Sequence, residues 1–171
     1  MNKIALFGLS AAFVPLAAFA FAPKAPAGPG AIEDMMRGMF KAFDEGDHAA
    51  VKACIATSDA RFPVLVWDND LEGKPIAVSG SAEVGKYLDG LLDGIAKMKA
   101  KTSTKVSDLH ADCDSPGIGY ATCQLTQSVT VDGKTEAANY WVTALVAADK
   151  ENKWHIFHWH SSEATPTPTA K

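Results

Sequence analysis

Apolar residues recur along this chain with two different periods, and the change of period divides it. From Ile32 to Glu45, residues Ile32, Met35, Met36, Met39, Phe40 and Phe43 fall at steps of three and four, with Glu33, Asp34, Arg37, Lys41 and Asp44 outside the stripe. This spacing predicts an amphipathic helix with one buried face. Its regularity reads the three methionines as core rather than as an adaptable binding surface. Gly46 ends the helix and Asp47 can cap a second, shorter one whose buried edge is Val51, Cys54 and Ile55. Phe62 to Trp67 is a short apolar run, residues 68–74 are turn-rich, and Pro75 to Ser79 resumes the run, which predicts a hairpin. Gly80 and Ser81 then open a third helix, with Glu83 in its first turn and Val84, Tyr87, Leu88, Leu91, Leu92 and Ile95 on its apolar stripe. Gly90 and Gly94 weaken this helix by roughly 1 kcal/mol each relative to alanine, and close approach to a neighbouring backbone is a reason to keep them.

After Lys101 the period becomes two. Leu109, Ala111 and Cys113 alternate with Asp108, His110 and Asp112, and Ser115-Pro116-Gly117 makes a turn. From Gly119 to Val131 the odd positions are mostly apolar and the even ones, Tyr120 to Thr130, mostly Thr and Gln, so this strand has one buried and one wet face. Asp132-Gly133 is a strong hairpin signal. Residues 135–147 form the next strand and Trp154 to Ser162 the last. The order is helix, helix, two strands, helix, four meandering strands. That predicts an α+β fold with helices packed on one face of a curved antiparallel sheet.

The ends of the 171-residue chain lie outside this pattern. Lys3, the apolar run Ile4–Ala22 and the small residues around Ala18 and Ala20 have the layout of a secretory signal peptide, with cleavage expected after Ala20. An uncleaved anchor is the competing reading, although Pro15 interrupts the run and its length barely spans a bilayer. Residues 21–30 read as a linker and 164–171 as a disordered tail, leaving 31–163 as one domain. The expected location is therefore periplasmic or secreted, with no membrane association after cleavage. A net charge of -4 and only two arginines, Arg37 and Arg61, exclude nucleic acid as a partner.

Candidate chemistry concentrates in the last strand, where His155, His158 and His160 are interleaved with Trp154, Ile156, Phe157 and Trp159. Strict alternation puts Trp154, Ile156, His158 and His160 on one face and His155, Phe157 and Trp159 on the other. Two same-face imidazoles at the end of an apolar strand can serve as general acid and base on a bound molecule, or can shape a pocket wall without chemistry. Tyr87, Asn139 and the second histidine are candidate donors to an oxyanion. Trp67, Asn139 and Trp141 are candidate ligand contacts, because an amide beside an indole on a buried face suits a small-molecule site. No metal is assigned: the histidine pair lacks a third ligand in sequence, and Asp68, Asp70 and Glu72 fail the spacing of a calcium loop. Cys113 and Cys123 fall on the apolar faces of strands joined by a turn and can form a disulfide after export. Cys54 reads as an inert buried thiol.

The closing Trp154-His155-Ile156-Phe157-His158-Trp159-His160-Ser161 and the opening Phe40-Lys41-Ala42-Phe43-Asp44-Glu45-Gly46-Asp47 resemble the SnoaL-like branch of the nuclear transport factor 2-like superfamily, the last strand especially its association-domain type. The resemblance covers residues 31–163. It implies a cone-shaped fold whose sheet wraps a pocket closed by the helices, and homodimers packed through the outer sheet face. It does not imply an activity. Three functions stay open: a domain binding a small apolar or amphipathic molecule in a histidine-lined pocket; a cofactor-independent dehydratase or isomerase using His158 or His160; and an oligomerisation module.

Overall fold

The computed structural model describes residues 28–55, 64–67 and 76–164, the side chains of 64–67 excepted. The expected signal peptide, most of the linker, the 68–74 turn with its three acids, and the tail after Ala164 lie outside the described residues.

The first apolar stripe forms α1, Pro29–Glu45. It begins three residues before Ile32, inside the expected linker, because a proline at the first helical position lacks only an N–H that would be unpaired there anyway. Gly46 closes it in the left-handed conformation, φ 71°, and the Asp47 N–H returns to the Ala42 carbonyl at 2.8 Å. Asp47 then caps α2, His48–Ala53, by accepting from the Ala50 N–H at 3.0 Å. The third helix, α3, spans Ser81–Lys97. A Cβ at Gly90 or Gly94 would meet nothing within 4 Å, so close backbone approach does not account for these glycines.

The strands are β1 Val64–Trp67, β2 Ile76–Ser79, β3 Lys101–Ser115, β4 Ile118–Val131, β5 Lys134–Ala148 and β6 Trp154–Glu163. They form one sheet in the order β2-β1-β6-β5-β4-β3. The four long strands are antiparallel neighbours, as the meander predicts, and Asp132 and Gly133, at φ 50° and 77°, make the expected tight turn between β4 and β5. The expectation of a wholly antiparallel sheet needs one correction, because β1 pairs with β6 in parallel. The cause lies just upstream. The chain leaving α2 already runs alongside β6 in that direction, with the Ile156 N–H donating to the Cys54 carbonyl at 2.8 Å and Ile55 bridging Ile156.

One face of the sheet carries Ala121, Cys123, Leu125, Val142, Ala144 and Val146, all buried in one core with Ile32, Met36, Met39 and Phe40 of α1 and Val84, Leu88 and Leu92 of α3. This is the inner face. Asp44, near the end of α1, ties the helix to the outermost strand: its carboxylate accepts from the Thr104 N–H at 2.7 Å and the Thr104 hydroxyl at 2.9 Å. That contact satisfies a backbone donor on a strand edge that would otherwise invite pairing with another chain. Lys52 and Asp89, 2.9 Å apart, link α2 to α3.

The expected disulfide is not formed, and Cys54, Cys113 and Cys123 are all free thiols. The register explains why. Two irregularities interrupt the β3–β4 ladder, one between Ser107 and His110 and one between Asp112 and Ser115. Cys113 falls in the second and Cys123 faces the first, so the two are not cross-strand partners. Burial pushes the Cys123 thiol up to about 11 and raises those of Cys54 and Cys113, the last helped by Asp112 and Asp114. Protonated thiols are poor nucleophiles.

Candidate functional site

The geometry of β6 decides which side chains face the interior. Val146 pairs with Ile156, but the next residue back along β5, Leu145, pairs with His158. Phe157 is therefore an extra residue with no partner, a β-bulge that reverses the alternation of everything after it. Trp154 and Ile156 before the bulge are buried, and so are Trp159 and Ser161 after it. His158 and His160 stand opposite Leu145 and Thr143 on the other, outer face.

Several expectations change as a result. Trp154 and Ile156 belong to the inner wall as predicted, but His158 and His160 do not share their face. Trp159, expected on the opposite side, joins the inner wall. Asn139 and Trp141 lie on the outer face: the Asn139 amide oxygen accepts from the Thr126 hydroxyl at 2.8 Å, and Trp141 is 54% exposed. Tyr87 is half-buried against the core on α3. Trp67 is the register partner of Ser161 in the β1–β6 pair, and its side chain is outside the described residues. The structure thus brings Tyr87, Trp154 and Ile156 to the helix-covered side and separates them from the histidines, Asn139 and Trp141.

Sequence alternation missed Trp159 and Ser161. The Trp159 ring lies edge-on to Phe40, centroids 5.9 Å apart. Its Nε1 and the Ser161 Oγ are both buried without a hydrogen-bond partner. Tyr140, the register partner of Leu125, is a further half-buried phenol on this face. Burial, and then the Glu163 carboxylate opposite it, raises its pKa, so the hydroxyl keeps its proton.

His155 has a different task. Its Nδ1 lies 2.9 Å from the Ala53 carbonyl and its Nε2 2.9 Å from the Asp149 carboxylate. Asp149 also accepts from the N–H groups of Glu151 and Lys153, at 2.8 and 2.9 Å. The Lys153 N–H above all, then His155, lowers the Asp149 pKa from its ordinary 3.8 to about 2. A depressed carboxylate stabilises the fold above its unfolded pKa and loses that contribution as pH falls through the folded value. We expect Asp149→Asn to melt below wild type by a constant interval above about pH 5, and the gap to close between about pH 4 and pH 2. Melting curves across that range check this.

Two open grooves flank the core. One of about 430 Å³ lies between α1 and β3 and is lined by Arg37, Phe40, Lys41, Asp44, Glu45, Thr104 and Val106. The other, of about 370 Å³, lies beside Trp154, Cys113 and Pro116. Neither is lined by His158 or His160. Among the described residues no three His, Cys, Asp or Glu side chains gather as a metal site, and no helix is long and apolar enough to cross a membrane.

Three helices laid on the inner face of a curved sheet, with an aromatic wall on β6, define the α+β architecture of nuclear transport factor 2-like domains. The chain belongs to the SnoaL-like domain family, which it matches over residues 32–166. Solved structures agree in fold. A candidate dehydratase of the nuclear transport factor 2-like family from Streptomyces avermitilis superposes with a TM-score of 0.65 at 15% identity, over 80% of this chain and 95% of that one. A ketosteroid isomerase-like protein from Erwinia carotovora atroseptica gives 0.59 at 16% identity, over 80% and 96%. The CaMKII hub of S. rosetta gives 0.58 at 19% identity, over 81% and 99%. No curated protein matches the chain in sequence.

Proposed function

We propose that this chain is an exported SnoaL-like domain that binds a small, largely apolar molecule between the inner sheet face and helices α1 and α3. The observation that carries this reading is the Phe157 bulge, which gives the inner wall Trp154, Ile156, Trp159 and Ser161 and turns His158 and His160 away. An aromatic wall with few polar groups suits retention of a ligand. Acid–base catalysis by those histidines would need them within hydrogen-bond reach of the bound molecule. Export rests on the N-terminal sequence, with Phe21 as the first residue of the mature chain.

The test uses 2-acetylnaphthalene as probe, titrated against the whole mature protein by tryptophan fluorescence. His158→Gln and His160→Gln are expected to bind it within about twofold of wild type, as outer-face substitutions should. A loss of roughly tenfold or more would return the imidazoles to the ligand and revive the dehydratase or isomerase reading.

A second reading concerns the outer face. Trp141, Leu145 and Ile118, at 54%, 38% and 47% exposure, stand on β4 and β5 in the middle of the sheet. Large apolar side chains left exposed on one sheet face are candidates for an interaction site. We infer that a second copy of the chain covers it, which also accords with the fold shared with a hub domain. Trp141→Lys is expected to leave the melting temperature nearly unchanged and to shift the species seen by sedimentation velocity from dimer to monomer.

A further inference from the structure

We infer that two copies meeting through the outer sheet face come apart as the pH falls from about 8 to about 5, driven by the charging of His158 and His160. This inference rests on the second-copy reading above and states what controls that assembly. Both imidazoles are half-buried on the outer face, in the same patch as the exposed Trp141 and Leu145. Leu145 is the register partner of His158, and Thr143, between Leu145 and Trp141, is the partner of His160. A copy seated on Trp141 and Leu145 therefore covers the two imidazoles as well.

The neighbouring strands bring no charged side chain beside them. Beyond Leu145 the row of His158 continues to Tyr120 on β4 and Asp112 on β3. That of His160 runs from Thr143 to Thr122 and then His110. On the other side the partners are Val64 and Val66 of β1, then Ser79 and Ala77 of β2. Asp112 and His110 stand on the edge strand, three strands from β6 and so about 14 Å away. Along β6 itself, His155 is engaged by Asp149 and by the Ala53 carbonyl of α2, and Glu163 pairs with Tyr140 of the inner face. Among the described residues His158 forms no ion pair. These rows are therefore neutral out to β3 while the imidazoles are neutral. That favours a second copy as the cover, because each chain carries a net charge of -4 and an interface core is depleted of charge.

Protonation reverses this. A charged imidazole gives up water when it is covered, which opposes its charging in the pair. In a twofold contact every side chain occurs twice, so each new charge has a like-charged counterpart on the partner copy. The separated copies therefore hold more protons than the pair. Linkage then fixes the sign: dissociation is favoured as pH falls.

Sedimentation velocity of the whole mature protein over a concentration series, at about pH 8 and about pH 5.5, gives the dimer dissociation constant. It is expected to rise at least about tenfold on acidification, while an unchanged near-ultraviolet circular dichroism spectrum shows that the monomers stay folded. The double variant His158→Gln/His160→Gln should pair at both pH values with little change, and His110→Gln should keep the wild-type response. Heats of dilution of the wild type at about pH 6.5, in two buffers of different ionisation enthalpy, give the protons taken up when a dimer dissociates. Uptake of roughly one proton or more per dimer is expected, and each single histidine variant should lower it. A dissociation constant unchanged within about twofold, without proton uptake, overturns the inference and leaves the second-copy reading standing. Absence of a dimer at about pH 8 overturns that reading and the inference with it. A full acid response in the double variant overturns the part given to His158 and His160.

Discussion

Ile156→Ala is expected to destabilise the domain by about 2–5 kcal/mol, whereas His158→Ala, two positions further along the same strand, should cost less than about 1 kcal/mol. Ile156 is fully buried, pairs with Val146, and meets Ile55 through the bridge that carries the chain from α2 into the sheet. Removing its side chain leaves a cavity between three elements that are each held elsewhere, so collapse around it is limited. At roughly 2–4 °C per kcal/mol for a domain of this size, the melting temperature should fall by roughly 4–20 °C. His158 sits on the outer face beside Leu145, where truncation opens no enclosed space. The contrast is the informative part. On strict alternation both residues would line one buried wall and both truncations would be costly. Thermal or urea melts of the two variants, run together, separate the bulged strand from a regular one.

Much of this fold is legible in the sequence because its signals are local. The 3.6-residue stripes give α1 and α3, Asp47 gives the cap of α2, Asp132-Gly133 gives the β4–β5 turn, and twofold alternation gives the meander. The assignment of Met36 and Met39 to the core follows from the same period. The site was harder to read because its placement depends on one residue. Phe157 is apolar and β-compatible and looks like any strand residue. If it is skipped, Trp154, Ile156, Trp159 and Ser161 fall on one parity and His155, His158 and His160 on the other, as observed on either side of the bulge. No turn residue marks the spot, and the register with β5 that creates the bulge is a long-range property. The β3 irregularity that separates Cys113 from Cys123 was hidden in the same way, although Asp108 at φ 50° is of a residue type that tolerates the left-handed region. The parallel pairing of β1 with β6 depends on how α2 docks, which no local pattern encodes.

Gly119→Ala should destabilise by about 1–3 kcal/mol, although exchanging glycine for alanine in a strand is favourable in other settings. Two effects oppose. Alanine restricts the unfolded chain, a gain of about 0.4–1 kcal/mol where the native backbone accepts it. Against this, a Cβ at Gly119 would lie 2.5 Å from the Asp112 carbonyl oxygen and 2.9 Å from Cδ1 of Ile32. The first contact is with backbone, so β3 or β4 must move. The second is with the tip of a side chain at the start of α1, which can turn aside only at a loss in packing, since Ile32 is fully buried. Overpacking therefore outweighs the entropic gain. The partition can be measured. Ile32→Val removes Cδ1, so Gly119→Ala should cost less in that background than alone, a coupling of about 0.5 kcal/mol or more between contacting residues. The cost that survives in the Ile32→Val background belongs to the Asp112 carbonyl. If Gly119→Ala proved neutral in both backgrounds, α1 would not lie against β4 at the distance the structure gives.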